Sequence, residues 1–432
     1  MKKSVIYCAV ILLLTAIFLP SCGELHYVET EAPETTESPA EGWTPVDLSK
    51  IDGIDLIFNS DKLMSSGIKT DGECVYIWLK MLSNITGLYR FDLLTGKLSS
   101  VCTDPLCVGE ECPFSKGSNS WIVSGDNVYY ISGYEDYYYS PEKQDTVHES
   151  HYSFYRYDMK NQKNECLYEI PDDGSGYSLK NILSDGYLYY TRSQYIENID
   201  EKKAYYEKYL CRTNPEEIGK TEEILYKLEG NDENGYSEVL EVTEDYFYFV
   251  TGAMNSNLVT RVSRADGSTD LMTYPFYGVT TARIGDYCYY LSCQGEPVDY
   301  ITSTDGKGDV IVDENGDPVL TPRYRLYYTK RNLLTLEETV FGEAPYPQSS
   351  SSGHITGITD NYLYLDFEDG LWRCDHDGNK IKLIRSKEQS ELFPLKTCYH
   401  QLIYGNWIFE ADFETFVVYD MESGKYFTFE LE

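Results

Sequence analysis

The sequence contains little histidine and few basic residues. Only six of its 432 residues are His, and 36 Lys and Arg stand against 71 Asp and Glu, so the formal charge is −35 at pH 7. A chain this acidic repels nucleic-acid phosphates and anionic lipid headgroups, which excludes nucleic-acid binding. The same charge favours a divalent cation or a cationic partner, or it keeps a tyrosine-rich surface soluble.

The usual catalytic motifs are also missing. The sequence has no Gly-rich phosphate loop, no His-Glu-x-x-His and no Gly-x-Ser-x-Gly, and only His148 and His151 lie close together. Carboxylates are numerous enough for a glycosidase pair to lie within the loops, so an enzyme remains an alternative. We expect no cofactor.

Only one long apolar run is present, and it lies at the N-terminus. Lys2 and Lys3 precede the apolar stretch Val5 to Phe18, which is short for a membrane span and typical of a secretory signal. The ending Leu19-Pro20-Ser21-Cys22 resembles a bacterial lipobox, which implies acylation of Cys22. We therefore expect residues 1–21 to be a lipoprotein signal peptide and Cys22 to anchor the chain on the extracytoplasmic face of the cell membrane. An ordinary signal peptide with a chance cysteine is the alternative.

The stretch after Cys22 has the composition of a tether. Residues 22–45 contain six Glu, no Lys or Arg, several Pro and few apolar side chains. Such a segment cannot bury enough surface to fold, and its charge and prolines keep it extended. We predict a disordered acidic tether over residues 22–45 and a single domain over residues 46–432.

A short pattern recurs seven times in this domain. Each copy has an aromatic anchor in a strand, then a basic residue, a spacer and Asp or Asn. The anchors are Tyr76, Tyr129, Tyr189, Tyr248, Tyr289, Tyr364 and Phe409. The basic position holds Arg90, Arg156, Arg212, Arg264, Lys330 and Arg373, with Val418 in the last copy. Two residues later come Asp92, Asp158, Asn214, Asp266, Asn332, Asp375 and Asp420.

The spacing of the copies and the turns between them predict an all-β fold, a seven-bladed β-propeller. Short strands joined by turns such as Asp185-Gly186 give four antiparallel strands per copy. Six or eight blades are the alternatives. We expect Asp55 to Leu63 to close the ring beside the C-terminal strand Tyr426 to Leu431.

The repeated polar pair is interpreted as architectural. Residues two apart on a strand project from the same face, so the pair predicts either one ion pair per blade or an acidic side chain that caps the next turn. Seven copies of a catalytic pair would have no chemical purpose.

Three insertions fall between the second and third strands of their copies, at residues 132–151, 192–207 and 292–322. In a four-stranded meander these links lie on the same side as the connections between blades. We therefore predict that all three share one face of the disc. Binding residues concentrate on such loops over a rigid scaffold.

The first insertion carries an aromatic cluster. Exposed tyrosines beside carboxylates suit sugar rings or a partner protein, whereas a loop that folds back on the disc is the alternative. The candidates are Tyr134, Tyr137, Tyr138 and Tyr139. Asp309 to Leu320 in the third insertion predicts a projecting hairpin with an Asn-Gly turn, and its acidic tip leaves calcium as a weak alternative.

Three cysteines, Cys102, Cys107 and Cys112, lie close together after the first copy. An exported protein favours a loop pinned by a disulfide. A metal site completed by His148 or His151, or a reactive thiol, is the alternative, and we place these cysteines on the binding face. Four other cysteines are interpreted as small buried residues of the strands: Cys74, Cys211, Cys288 and Cys374.

The aromatic strands resemble the propeller of low-density-lipoprotein-receptor-related proteins, with its Tyr-Trp-Thr-Asp strands. The matching runs are Tyr189-Tyr190-Thr191 and Tyr289-Tyr290-Leu291. The chain is also similar to an uncharacterised family of Gram-positive lipoproteins that has a Cys-x-Asp-Pro-x-Cys segment, matched here by Cys102 to Cys107. That family often has His after the second cysteine, where Val108 stands here. The resemblance implies a propeller of unknown function.

Together these features predict a membrane-anchored, monomeric, extracytoplasmic lipoprotein whose propeller binds a protein partner or a glycan. The alternatives are a propeller enzyme that uses carboxylates on the insertion face and an accessory subunit with a purely structural role.

Overall fold

The computed structural model consists mainly of β-strands in the part of the chain that it describes. It describes residues 43, 57–58, 67–78, 87–103, 112–115, 120–140, 145–173, 175–198, 203–228, 236–253, 256–273, 281–284, 287–293, 295–305, 308–332, 335, 337–349, 354–359, 361–391, 400–412 and 415–431. These residues belong to one unit, Pro39–Glu432. Within them no helix has the length and apolar character needed to cross a membrane.

The strands form seven blades of four antiparallel strands each. After β1 (Ile57–Phe58), blade 1 consists of β2 (Ile68–Thr70), β3 (Cys74–Trp78), β4 (Leu88–Asp92) and β5 (Lys97–Ser100). Blade 2 consists of β6 (Ser120–Ser124), β7 (Asn127–Ser140), β8 (Asp145–Asp158) and β9 (Lys163–Glu169). Blade 3 consists of β10 (Gly176–Ile182), β11 (Leu188–Asn198), β12 (Lys203–Thr213) and β13 (Glu223–Leu228), with a 3₁₀ turn at Pro215–Glu217.

The remaining blades repeat the plan. Blade 4 consists of β14 (Tyr236–Val242), β15 (Tyr246–Ala253), β16 (Ser256–Ser263) and β17 (Thr269–Thr273). Blade 5 consists of β18 (Thr281–Ile284), β19 (Tyr287–Cys293), β22 (Leu326–Asn332) and β23 (Glu338–Glu343), with β20 (Asp299–Thr302) and β21 (Leu320–Tyr324) inserted. After β24 (Gln348–Ser349), blade 6 consists of β25 (His354–Ile358), β26 (Leu363–Phe367), β27 (Gly370–Cys374) and β28 (Lys382–Ser386), followed by α1 (Lys387–Glu391). Blade 7 consists of β29 (His400–Tyr404), β30 (Trp407–Ala411), β31 (Thr415–Asp420) and β32 (Tyr426–Glu430).

The predicted seven-bladed propeller is therefore confirmed. First strands of neighbouring blades contact each other at several points around the ring, for example β25 with β29 and β29 with β2. Apolar clusters fill the spaces between blades: Trp78 of blade 1 packs 5.7 Å from Trp121 of blade 2, and Tyr189 of blade 3 packs 6.3 Å from Phe247 of blade 4. Each blade buries its faces against its neighbours, which is why one blade alone lacks a core.

The acidic position of the repeat caps a turn, as one of the two structural interpretations predicts. The Asp92 side chain accepts hydrogen bonds from the backbone N–H groups of Leu94 (2.9 Å) and Thr95 (2.7 Å). Corresponding contacts are made by Asp158, Asn214, Asn332, Asp375 and Asp420. These bonds hold the turn between the third and fourth strands.

Blade 4 requires a correction. The sequence pattern assigned Arg264 and Asp266 to the repeat, but the anchor Tyr248 pairs with Arg261 across the strands. The Ser263 hydroxyl accepts a hydrogen bond from the N–H of Ala265 at 3.3 Å, the role that Asp92 has in blade 1. The repeat in blade 4 is therefore Arg261-Val262-Ser263, three residues earlier than predicted.

The basic residues of the repeat mostly contact residues outside their own pair, so the predicted ion pair within each copy is not the common role. Lys330 of blade 5 lies 2.9 Å from Asp377 of blade 6, and Arg156 of blade 2 contacts Glu216 of blade 3. These contacts join neighbouring blades on the face opposite the insertions.

The expected ring closure is wrong. In the described part of Asp55–Leu63, Ile57 and Phe58 pair with β18 of blade 5, whereas β32 pairs with β31 of its own blade. The seam between blades 7 and 1 holds Trp43 instead, within the stretch predicted to be tether. Trp43 is buried and packs 4.6 Å from Trp407 and 5.2 Å from Phe91. An aromatic wedge therefore fills the seam.

Candidate functional site

Two of the three insertions are ribbons that extend the middle strands of blades 2 and 3. β7 and β8 pair without interruption from Asn127–Asp158 to Ser140–Asp145, and β11 and β12 pair from Leu188–Thr213 to Asn198–Lys203. The flanking strands stop earlier. β6 pairs with β7 only as far as Ile131, and β9 pairs with β8 only as far as Ser153. Because every blade has the order first-second-third-fourth strand, these links lie at the same end as the connections between blades. The prediction that the insertions share one face is confirmed by this topology.

The first ribbon exposes its tyrosines to solvent. Tyr134, Tyr138 and Tyr139 are 50%, 46% and 64% exposed. These three side chains therefore do not pack onto the disc. Tyr137 pairs with His148 through the backbone, and the side chains of both lie outside the described residues.

Polar groups accompany these tyrosines on the same ribbon. The Tyr138 hydroxyl donates to Glu149 Oε1 at 2.6 Å, and His151 Nε2 lies 3.5 Å from Asp136 Oδ2. The Tyr134 ring lies 4.8 Å from the His151 ring. The hydrogen bond to Glu149 raises the pKa of Tyr138 because the carboxylate favours the protonated phenol. The ribbon thus offers aromatic rings with hydrogen-bonding groups beside them.

The second ribbon carries an aromatic pair that the sequence analysis missed. Tyr195 and Tyr206 face each other across the strands with ring centroids 5.4 Å apart, and both are exposed. The available signal was the presence of Tyr195, Tyr205 and Tyr206 within residues 192–207, a stretch that the sequence analysis assigns only as an insertion.

A cleft of about 240 Å³ lies between blades 2 and 3, at the base of the second ribbon. One wall comes from the end of blade 2 and its connection to blade 3, and the other from β11 and the turn before β13. Side chains that line it include Tyr168, Tyr177, Tyr190, Arg192, Lys220 and Glu222.

Arg192 and Glu222 form a hydrogen-bonded ion pair that lines this cleft. Arg192 Nη2 lies 2.9 Å from Glu222 Oε1, and its Nε lies 3.1 Å from the same oxygen. The Tyr190 hydroxyl donates to Glu222 Oε2 at 2.8 Å, and the Arg192 guanidinium lies 5.0 Å from the Tyr209 ring. Burial, followed by the hydrogen bond to Glu222, raises the pKa of Tyr190. Tyr190 therefore remains a neutral donor.

The shape of the cleft beside Tyr168 depends on the absence of a side chain at Gly219. Its φ of +75° is a conformation that L side chains rarely adopt, and a Cβ here would lie 2.1 Å from the Tyr168 ring. The ring of Tyr168 therefore packs directly against the backbone of Gly219. A side chain at position 219 would displace Tyr168 and change the shape of the cleft.

The first strands of blades 1 and 3 each carry a lysine that contacts a neighbouring blade. Lys69 on β2 donates to the carbonyl oxygen of Trp121 on β6. Lys180 occupies a β-bulge of β10 and lies 3.4 Å from Glu238 Oε1, and the other oxygen of this carboxylate, Oε2, lies 2.8 Å from Lys208. Burial, and then the charge of Lys180, lower the pKa of Lys69 to about 8.

The structure describes two of the three clustered cysteines. Cys102 and Cys112 are half-buried and pack against the cluster that contains Trp78 and Phe114, whereas Cys107 lies outside the described residues. Within the described ranges no group of three or more His, Cys, Asp or Glu side chains could hold a metal ion. The disulfide, metal and thiol interpretations of the loop stay predictions. Burial in the strands is confirmed for Cys74, Cys211, Cys288 and Cys374.

The third insertion contains the predicted hairpin. Val312 bridges Pro318 around a turn in which Gly316 has φ +84°. Asp313 accepts from the backbone N–H groups of Asn315 (2.8 Å) and Asp317 (3.0 Å). This carboxylate therefore caps its own turn.

The fold defines the chain as a seven-bladed β-propeller protein. No protein-family model matches the chain, and no curated protein matches it. Among solved structures it is similar to an uncharacterized protein from Listeria monocytogenes, with 9% identity over 88% of this chain and 97% of the other and a TM-score of 0.39.

Two further similarities involve proteins of known name. The nidogen/laminin complex includes a chain with 13% identity over 62% of this chain and 74% of the other, with a TM-score of 0.30. Prolyl oligopeptidase B from Galerina marginata has 10% identity over 82% of this chain, with a TM-score of 0.38. The chain spans 46% of that peptidase. At these identities the likeness concerns the fold alone.

Proposed function

We propose that the chain is a membrane-anchored, extracytoplasmic binding protein that takes a carbohydrate chain on the insertion face of blades 2 and 3. The observation that carries this proposal is the set of exposed tyrosines with adjacent hydrogen-bonding groups on two neighbouring ribbons. Tyr138 with Glu149 and the pair Tyr195–Tyr206 are the main examples.

The chemistry of these ribbons suits a sugar ring. A pyranose has an apolar C–H face, which packs on an aromatic ring, and a rim of hydroxyl groups, which bond to carboxylates and guanidinium groups. The cleft between blades 2 and 3 supplies both, with Tyr177 beside the Arg192–Glu222 pair. A concave cleft of about 240 Å³ fits a small ring better than the broad surface of a protein partner.

Replacing exposed tyrosines on either ribbon should weaken glycan binding about tenfold, or about 1.4 kcal/mol, because each pair supplies stacking area. The two variants are Tyr138→Ala with Tyr139→Ala and Tyr195→Ala with Tyr206→Ala. A glycan array identifies the ligand, and isothermal titration calorimetry measures the affinity of each variant.

The matched control is Tyr287→Ala with Tyr426→Ala. These residues are 41% and 50% exposed at the end of the blades opposite the insertions, so their loss should leave affinity within twofold. Equal losses of glycan affinity in the control variant and the ribbon variants would contradict the assignment of the binding site to the insertion face. Absence of glycan binding in the unaltered protein would contradict the carbohydrate ligand, and turnover of a bound glycan would favour the enzyme alternative.

The anchor is tested separately. Cys22→Ser should move the protein from the membrane fraction to the soluble fraction, because it removes the thiol that we propose is acylated. Cys8→Ser, within the same signal segment, is the control and should leave the protein in the membrane fraction. Retention of Cys22→Ser in the membrane after a carbonate wash would contradict lipid anchoring at this cysteine.

A further inference from the structure

The third insertion forms a small sheet of its own, which we call the tongue: the described residues between Gly295 and Tyr324. β20 pairs with β21, and β21 pairs with β24. Arg323 Nε lies 2.8 Å from Asp299 Oδ1 across the first pair. The backbone N–H of Ser303 donates to the carbonyl of Val319 at 2.8 Å, and that of Val319 donates to Ile311 at 2.9 Å. The tongue is therefore an ordered structure.

The tongue exposes an unusual number of large apolar side chains. Eight of its residues are exposed: Val298, Tyr300, Ile301, Val310, Ile311, Val312, Val319 and Leu320. Single exposed apolar residues are normal on soluble proteins, but contiguous groups mark interaction sites. Nothing in the binding site of blades 2 and 3 uses these residues.

The strand register groups some of these side chains on one face. Tyr300 pairs with Pro322, and Thr302 pairs with Leu320, so Val298, Tyr300 and Leu320 project on the same side. Ile301 projects on the other side. In the described part of the chain, β20 pairs only with β21, so its second edge is open to a further strand.

Acidic side chains surround this apolar surface. Exposed carboxylates stand at Glu296, Asp305, Asp309, Asp313, Glu314 and Asp317. The sequence between residues 295 and 324 contains only two basic residues, Lys307 and Arg323. The rim of the tongue is therefore strongly negative.

We propose that the tongue binds an extended apolar segment of a partner protein, flanked by Lys or Arg, that lies along the open edge of β20. Strand addition satisfies the edge N–H and C=O groups, alternate apolar side chains cover Tyr300 and Leu320, and the flanking cations meet the carboxylates. A second copy of this chain is disfavoured because the whole sequence has a formal charge of −35, so two copies repel each other. An anionic bilayer is disfavoured for the same reason.

The probe is a synthetic peptide of alternating Val and Tyr with two Lys at each end, measured by fluorescence anisotropy. We expect binding that weakens as NaCl is raised, and no binding of the same peptide with Glu at both ends. Tyr300→Asp with Leu320→Asp should weaken binding of the Lys-flanked peptide at least tenfold. Val340→Asp with Leu383→Asp, at exposed sites outside the tongue, should leave it within twofold.

Circular dichroism melting curves establish that both double variants fold. The proposal is overturned if the Lys-flanked peptide fails to bind the unaltered protein at about 1 mM, a free energy near −4 kcal/mol. The proposal is also overturned if the tongue variant binds the Lys-flanked peptide as tightly as the unaltered protein does. It is overturned too if the unaltered protein binds the Glu-flanked and the Lys-flanked peptides with equal affinity. Self-association in sedimentation or flotation with phosphatidylglycerol vesicles, if abolished by the tongue variant, would assign the surface to a second copy or to a membrane.

Discussion

Glu410→Gln should lower the free energy of unfolding by about 3–5 kcal/mol, because it leaves the buried guanidinium of Arg385 without its counter-charge. The two side chains are 9% and 4% exposed, and both guanidinium Nη atoms contact the carboxylate, at 2.5 and 2.6 Å. Gln401 donates to the same carboxylate at 2.8 Å. Arg385 belongs to blade 6 and Glu410 to blade 7, so the pair joins two blades. Urea denaturation followed by tryptophan fluorescence measures the loss.

The matched control is Glu343→Gln. Its partner Arg325 lies 2.9 Å away, but the two side chains are 53% and 47% exposed, so solvent screens the pair. This change should cost less than about 1 kcal/mol. Similar losses of unfolding free energy in Glu410→Gln and Glu343→Gln would show that burial does not set the strength of the Arg385–Glu410 pair.

Trp43→Ala should destabilise the propeller by about 3–5 kcal/mol, because it opens a cavity in the seam between the first and last blades. The Trp43 ring packs against Trp407, Phe91 and Phe427, and its Nε1–H donates to the carbonyl of Leu93 at 3.3 Å. In the described residues the seam has no strand shared between blades 1 and 7, so this contact closes the ring by packing.

Leu94→Ala is the control for Trp43, since Leu94 lies in the neighbouring turn and is exposed. It should change the free energy of unfolding by less than about 0.5 kcal/mol. Hydrogen exchange should show faster exchange in β2 and β29 of Trp43→Ala than in β14. Unaltered stability and exchange would mean that Trp43 is dispensable for ring closure.

Much of the fold could be predicted from the sequence because the blade signal is local and repeated. Aromatic strands and a polar cap on the turn after the third strand recur in each blade, with Asp-Gly turns at Asp71-Gly72 and Asp185-Gly186. Six of the seven assigned caps occupy the same structural position. Blade 4 was misassigned because Arg261-x-Ser263 and Arg264-x-Asp266 both resemble the pattern. A serine caps the turn as Asp does elsewhere, and only the pairing of Tyr248 with Arg261 distinguishes the two.

The candidate site was predictable only in part. Insertion length indicated which links extend beyond the blades, and the meander order indicated their common face. The cleft was not predictable, because it joins Tyr168 of blade 2 with Gly219 and Glu222 of blade 3 through packing between blades. The role of Trp43 was hidden for a similar reason: the acidic composition around it indicates a tether, and only its contact with blade 7 shows where it lies.

The most direct test of the carbohydrate proposal is a crystal structure of the propeller with the glycan that binds best on the array. We predict density for a sugar on the insertion face of blades 2 and 3, stacked on a ribbon tyrosine or within bonding distance of Arg192 and Glu222. A sugar bound among the repeated residues on the opposite face, near Lys330 and Asp377, would contradict the account.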